Sequence, residues 1–330
     1  MHHHRLQIVD APTPLKIARR LSEEWGVELY IKRDDLAGPT LGGNKSRQLE
    51  YYFGDAQDKG ADTILITGAV QSNFARLAVS VANNNGMRAV VQLEDRVPGK
   101  SASYRKTGNV LLSRLMNAEI MMYPEGEDEK GADEALQIKA DELSAAGRQP
   151  YIIHLSEGHP PLGALGYVDA ATEILSQRSD FDVFVVASGS GSTHAGLLAG
   201  LRGAGSKAKV FGCCVRRDAG AQAARINRVL RRLEDLFPSA KQVTLNDVIT
   251  WDGAFRPGYG QVGKAALDAM RLAARTEGLI LDPVYTAKSF AAIPALIASG
   301  HIAKGSRVCF VHTGGLAAIF AYEASLFSSA

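Results

Sequence analysis

Cysteine is scarce in this chain of 330 residues: there are only Cys213, Cys214 and Cys309. An odd count, with two adjacent and none at metal-ligand spacing, argues against a disulfide framework and against a metal site. It points instead to a reducing, cytoplasmic setting. Long apolar runs are also missing. No stretch approaches the roughly 20 consecutive apolar residues of a membrane helix, and Met1-His2-His3-His4-Arg5 lacks a signal-peptide core. Charge of one sign is not concentrated anywhere. The 37 Lys and Arg nearly balance 35 Asp and Glu, leaving +2. No basic block alternates with aromatics, so nucleic acid is not an expected partner. Internal repeats and low-complexity linkers are absent as well.

What remains is an ordinary globular composition, 46% hydrophobic and 22% charged. Short apolar runs alternate with longer helical patterns. The expected strands are Leu29–Lys32, Thr63–Thr67, Ala89–Leu93, Ile120–Tyr123, Tyr151–Leu155, Val183–Ala187, Val210–Val215, Leu279–Leu281 and Val308–Val311. Several are apolar throughout, as strands covered on both faces should be. Helical periodicity falls at Phe74–Asn84, Ala132–Ala145, Gly166–Ser176, Gly220–Leu236 and Gly263–Glu277, and Glu125–Asp133 reads as a surface loop. This rhythm predicts an α/β, doubly wound parallel sheet. In such sheets ligands gather where strand ends turn into helices.

Three turns could carry chemistry. Ser188-Gly189-Ser190-Gly191-Ser192-Thr193 follows a buried strand and opens a helix. Its backbone N–H groups and hydroxyls suit a phosphate. It is neither a P-loop nor a good dinucleotide fingerprint, and a tight turn that only needs glycine is the bland alternative. Gly42-Gly43-Asn44-Lys45 sets a lysine on a helix's first turn. Lysine forms Schiff bases when its pKa is lowered, although a lone lysine is more often a solvated charge. Gln71-Ser72-Asn73 precedes another helix, whose first amides suit a carboxylate. Asn73 could equally be a plain N-cap. Tyr259, Tyr285, Thr286 and Thr313 lie on later turns, each a weak signal alone.

Together these turns resemble one family, the pyridoxal-phosphate enzymes of the tryptophan synthase β-like fold (fold type II). The branch is that of D-cysteine desulfhydrase and aminocyclopropane carboxylate deaminase. The similarity runs from Ala11-Pro12-Thr13-Pro14-Leu15 and Ile31-Lys32-Arg33-Asp34-Asp35 to His312-Thr313-Gly314-Gly315. It implies two doubly wound sheets with helices on both faces. A large cofactor-binding domain would comprise residues 1–48 plus 155–330, with a small inserted domain at 49–154. It implies pyridoxal 5'-phosphate as cofactor, held by Lys45 as a Schiff base. Asn73 would meet the ring hydroxyl, and Ser188, Gly189, Ser190, Gly191, Ser192 and Thr193 would hold the phosphate. Gln71 and Ser72 would hold the substrate carboxylate, with Tyr259 and Tyr285 lining the substrate side. It also implies a homodimer acting on a small amino acid.

The ring-opening deaminases of this family carry Glu after the tyrosine of the Asp-Pro-Val-Tyr motif and Leu in the His-Thr-Gly-Gly position. Here those places hold Thr286 and Thr313, as in D-cysteine desulfhydrases. A hydroxyl keeps the pyridine less protonated than a carboxylate does, which suffices for β-elimination and suits ring opening badly. The expected reaction converts D-cysteine to pyruvate, hydrogen sulfide and ammonia. Phe74 stands where the family often has a polar residue, and Ser156-Glu157-Gly158-His159-Pro160-Pro161 replaces a smaller loop. With Phe74 and His159 on the substrate side, a lyase for another β-substituted amino acid such as L-cysteate is an alternative. A nucleotide-dependent oxidoreductase and a non-catalytic amino-acid-binding protein are readings from other classes. Neither explains Lys45.

Overall fold

The computed structural model describes residues 3–155 and 158–327. It contains two separate sheets. The larger has six strands in the order β1 (Leu15–Ile17), β2 (Glu28–Lys32), β10 (Arg307–Val311), β7 (Val183–Ser188), β8 (Lys209–Cys214) and β9 (Ile249–Trp251). All neighbours are parallel except β1, which pairs antiparallel with β2. The smaller sheet is wholly parallel, in the order β5 (Glu119–Tyr123), β4 (Arg88–Glu94), β3 (Thr63–Ala69) and β6 (Pro150–Ile153). The helices are α1 (Arg19–Trp25), α2 (Lys45–Asp58), α3 (Asn73–Asn84), α4 (Gly108–Leu115), α5 (Glu129–Ala145), α6 (Leu162–Gln177), α7 (Ser192–Gly203), α8 (Ala219–Leu233), α9 (Lys264–Glu277), α10 (Thr286–Ala298) and α11 (Glu323–Phe327).

Each sheet is covered on both faces, which is why the central strands β3 and β7 are buried at every residue. Helices α1, α9 and α10 pack one face of the large sheet around Leu21, Phe290 and Phe310. On the other face lie α6, α7 and α8, around Phe184, Leu198 and Ile226. In the small sheet, α2, α3 and α4 cover one face and α5 the other. Helix α2 runs unbroken across residues 48 and 49 and packs against α6. Glycine permits that closeness: a Cβ on Gly166 would stand 2.1 Å from the Arg47 carbonyl.

Two expectations fail. Leu279–Leu281 is not a strand. Gly278 turns left-handed (φ 61) to end α9, and the Leu279 amide returns to the Ala273 carbonyl. The segment is apolar because Leu279 and Leu281 fill the core beneath the large sheet. Glu125–Asp133 is not wholly a loop either. Asp128 caps α5 by accepting from the Gly131 amide, so Glu129 already belongs to the helix. The short strands β1 and β9, three residues each and at the sheet's edges, escape a reading that rests on periodicity.

Candidate active site

The carboxyl ends of β3, β4, β7 and β8 face a cleft between the sheets with about 880 Å³ of empty space, part of it open to solvent. The turn that delivers Lys45 is strained. Thr40, Leu41, Gly42 and Gly43 all have positive φ, from 44° to 131°, a region that costs residues other than glycine. Gly42 is obligatory, since a Cβ there would lie 2.3 Å from the Asp35 carbonyl. The buried Arg76 guanidinium pins the turn by donating to the carbonyls of Thr40 and Gly42. Lys45 then starts α2 with Nζ 3.3 Å from Gln48 Oε1 and 5.0 Å from the Phe74 ring centre. No carboxylate among the described residues pairs with it. The residue is half-buried and lines the cleft, and desolvation of the ammonium lowers its pKa from 10.5 to about 8.

The adjacent wall is the turn from β7 into α7. Gly191, at φ 110°, precedes a helix that no side chain caps, so its first amides stay available. Thr193 Oγ1 accepts from Asn44 Nδ2 and from Gln48 Nε2, both at 2.8 Å. With both lone pairs engaged, its own proton must be donated elsewhere, and Thr193 lines the cleft. The same bonds tie the lysine turn to the amide cradle. Gly189 and Ser190 also line the cleft, whereas Ser192 faces a neighbouring pocket with Arg225. Ser188 is turned inward, its hydroxyl 3.1 Å from His194 Nδ1 and 2.9 Å from Gln222 Nε2.

On the small-sheet side, Ser72 rather than Asn73 caps α3, accepting from the Ala75 amide at 3.1 Å. Asn73 is thereby free for another role. Its Oδ1 accepts from Asn109 Nδ2 at 2.9 Å, which fixes the amide with its NH₂ unused among the described residues. Ser72, Asn73 and Phe74 line the cleft. The Gln71 side chain does not. It donates to the carbonyls of Tyr104 and Thr107 and accepts from the Asn109 amide, clamping the segment before α4.

Tyr259 and Tyr285 face the cleft with their hydroxyls 2.6 Å apart. Burial, and then the neighbouring Tyr259, push the Tyr285 phenol well above its usual pKa, so it stays protonated. The buried Lys288 donates to the carbonyls of Phe255 and Gly258, at 3.0 and 2.7 Å, and so braces the loop bearing Tyr259. Thr313 lines the cleft. Thr286 is fully buried, and its hydroxyl is spent on the Asp282 amide and carboxylate, both at 2.7 Å.

His159 lies apart from the cleft. It stacks on His154 with ring centres 3.5 Å apart and planes 5° from parallel, beside Asp133. A nitrogen of each ring and an Asp133 carboxylate oxygen lie within 4.8 Å of one another, a spacing that could hold a metal ion, with the parallel rings directing their lone pairs along separate planes. Ser156 and Glu157, at the start of the unusual loop, lie outside the described residues.

Sequence reasoning missed Asn44, Arg96, His194 and Arg216, all of which line the cleft. Each arginine sits just beyond a strand's carboxyl end, and that position was the available signal. The lining suits pyridoxal phosphate: an amide cradle with a spare hydroxyl donor for the phosphate, an unpaired amine of lowered pKa for the aldehyde, and a fixed amide donor beside it.

Comparison with known proteins agrees. A family profile described as pyridoxal-phosphate dependent enzyme matches residues 6–314. A D-cysteine desulfhydrase from Salmonella paratyphi C (strain RKS4594) is 39% identical over 325 residues, 97% of this chain and 96% of that protein. One from Salmonella typhi is 38% identical over the same span. A crystal structure of an ACC deaminase homologue superposes with TM-score 0.85 at 33% identity, covering 99% of each chain. The structure of O-ureido-L-serine synthase, at 21% identity and TM-score 0.66, covers 94% of this chain and shares the fold. The chain therefore belongs to the pyridoxal-phosphate dependent enzymes of fold type II, as a lyase-type member.

Proposed function

We propose that the protein catalyses β-elimination on a small amino acid, with D-cysteine yielding pyruvate, hydrogen sulfide and ammonia. The observation that carries this reading is the unpaired Lys45 amine, tied through Asn44 and Thr193 to an amide cradle and facing a cleft lined by Thr313. Among the described residues, no carboxylate lines that cleft. Bound pyridoxal phosphate supplies an electron sink for the carbanion at Cα. The ring nitrogen would meet a hydroxyl rather than an acid, which disfavours ring-opening deamination. The names of the relatives point the same way.

The residues divide the work. The first amides of α7 and the Thr193 hydroxyl hold the phosphate, and Asn73 holds the ring hydroxyl. Ser72 and the first amides of α3 orient the substrate carboxylate. Lys45, as a free amine, takes the Cα proton. Tyr285, kept protonated and bonded to Tyr259, donates to the departing sulfur.

The purified protein should show a yellow cofactor band that borohydride bleaches and that Lys45→Ala lacks. It should release pyruvate and sulfide in equal amounts from D-cysteine. A colourless protein unable to take up pyridoxal phosphate would overturn the class. Failure with both cysteine enantiomers alongside success with β-chloroalanine would overturn the substrate.

We propose further that two copies associate in the cytoplasm and that the small sheet with its helices forms a separate domain. The buried free thiols support a reducing compartment. Exposed Leu111 and Leu115 on α4, with Phe320 on the turn packed against it, support an apolar contact surface. Sedimentation of Leu115→Glu checks the association: the wild type should run as a dimer and the variant as a monomer.

A further inference from the structure

Arg47 and Arg76 are the two most deeply buried arginines among the described residues. Arg47 meets the carboxylates of Asp34 and Glu173. Arg76, on α3, meets no carboxylate among the described residues. Its acceptors are all neutral. They are the Thr40 carbonyl, the Gly42 carbonyl at 3.3 Å from both Nη atoms, Asn109 Oδ1 at 3.0 Å from Nε, and Asn73 Oδ1 at 3.5 Å from Nη2. Burial lowers its pKa to about 10, which still leaves a cation at neutral pH. A charge withdrawn from water without a counterion is costly. Pinning the turn at residues 40–43 calls for donors, not for a charge.

The hydrogen bonds run in one direction, from this cation toward the cleft. Arg76 Nε can only donate, so the Asn109 atom it meets is the oxygen. The Asn109 NH₂ then donates to the Gln71 carbonyl at 3.1 Å and to Asn73 Oδ1 at 2.9 Å. Gln71 also fixes the Asn109 backbone, accepting from its amide at 2.9 Å. With Oδ1 engaged, Asn73 keeps its NH₂ as the free end of the chain, on a residue that lines the cleft. Each amide in such a chain is polarised by the donor behind it, so the last N–H is a stronger donor than a lone asparagine offers. An end that only donates, backed by a cation, favours an acceptor carrying negative charge.

We propose that Arg76 and Asn109 are positioning residues for the cofactor, and that the buried cation, acting through Asn73, holds the cofactor's ring oxygen in its ionised form. This rests on the assignment of Asn73 to that oxygen. The ring oxygen and the aldehyde occupy adjacent ring carbons. Arg76 is bonded to the support of each: the Asn109–Asn73 chain on one side, and on the other the turn that presents Lys45.

The test titrates the cofactor-free full-length protein with pyridoxal 5'-phosphate and with 3-deoxypyridoxal 5'-phosphate, which lacks the ring oxygen. The wild type, Asn73→Ala, Arg76→Met, Arg76→Lys and Asn109→Asp are compared by the ratio of the two dissociation constants. Damage to the turn or the fold weakens both compounds alike and cancels in that ratio. Asn109→Asp gives Arg76 a counterion while removing the donor to Asn73, so a purely structural arginine predicts an unchanged ratio. Arg76→Met and Asn109→Asp should each reduce the preference for the oxygen-bearing compound by about tenfold or more, with Arg76→Lys intermediate. In the holo forms of Arg76→Met and Asn109→Asp, part of the yellow band should move to the near ultraviolet, because the ring oxygen takes up a proton more readily. Should Arg76→Met not fold, Asn109→Asp and Arg76→Lys decide by the same criteria. If the Arg76 and Asn109 variants keep the wild-type ratio and spectrum while Asn73→Ala loses the preference, the relay is overturned and the assignment of Asn73 stands. If Asn73→Ala also keeps the wild-type ratio, that assignment fails and takes the relay with it.

Discussion

Lys32 ends β2 and Lys45 begins α2, and the short connection between them separates two opposite electrostatic settings. Lys32 is fully buried, with Nζ 2.5 Å from Glu173 Oε1, 2.7 Å from Gln177 Oε1 and 2.8 Å from the Thr13 carbonyl. All three of its protons are spoken for. Lys45 has one long bond to a neutral amide and a phenyl ring. The difference is one of partners more than of burial. An ammonium with a carboxylate beside it is a structural cation, whereas one withdrawn from water without a carboxylate leans toward the reactive amine.

The structural side is a closed network. Arg47, two residues beyond Lys45, donates to both oxygens of Asp34 at 3.0 Å and to Glu173 at 2.8 and 2.9 Å. Tyr167 and Thr13 also donate to Asp34, each at 2.7 Å. Burial opposes ionisation of Asp34, yet Arg47 and these donors hold its carboxyl below the usual range. Removing one member breaks the contrast most severely. Arg47→Met should destabilise the protein by about 3–5 kcal/mol, because Asp34 is left as a buried charge without its cation. Urea unfolding measures this, and a loss under about 1 kcal/mol would show that the network is dispensable. Cofactor uptake should weaken in parallel, since Arg47 and Lys45 share the first turns of α2.

The reactive side makes a prediction in pH. With a pKa of about 8, roughly a quarter of Lys45 is neutral at pH 7.5, against about a thousandth for an ordinary lysine. The sign follows from the nucleophile being the deprotonated form. Capture of pyridoxal phosphate by the cofactor-free protein should accelerate as pH rises and level off above an inflection near 8. Stopped-flow absorbance measures it, and an inflection near 10 would place Lys45 in an ordinary aqueous setting.

Much of this contrast was legible before any coordinates. Lys45, Ser72, Asn73 and Thr193 sit where buried strands turn into helices, and that rule of parallel sheets needs only an apolar run followed by small or polar residues. Side-chain direction was not legible. Gln71, Ser188 and Thr286 have the right chemistry in the right turns, but their polar atoms are consumed by Asn109, His194 and Asp282. No spacing reveals that. Arg96 and Arg216 were passed over for the converse reason: an arginine after a strand ordinarily reaches solvent, but Glu94, two residues before Arg96, and Glu127 and Glu129, brought to Arg216 by the fold, hold these two against the cleft. Lys32 and Lys45 look alike in sequence because Glu173, on α6, is far along the chain. Likewise, Leu279–Leu281 is as apolar as a strand, because the core beneath a sheet and the sheet itself demand the same residues.

Phe74 offers the finest adjustment of the contrast. Its ring acts on Lys45 in two opposed ways, by helping to exclude water, which disfavours the ammonium, and by presenting a π face 5.0 Å from Nζ, which favours it. Burial as a whole lowers the Lys45 pKa to about 8. Replacing the ring with an aliphatic group of similar bulk separates the two effects, since water stays out while the π face is lost. Phe74→Leu should therefore move the capture inflection downward by about half a pH unit, the equivalent of a cation–π contribution of about 0.5–1 kcal/mol. An upward shift would mean that the ring's chief role is to exclude water, and that leucine at this position lets water reach the amine.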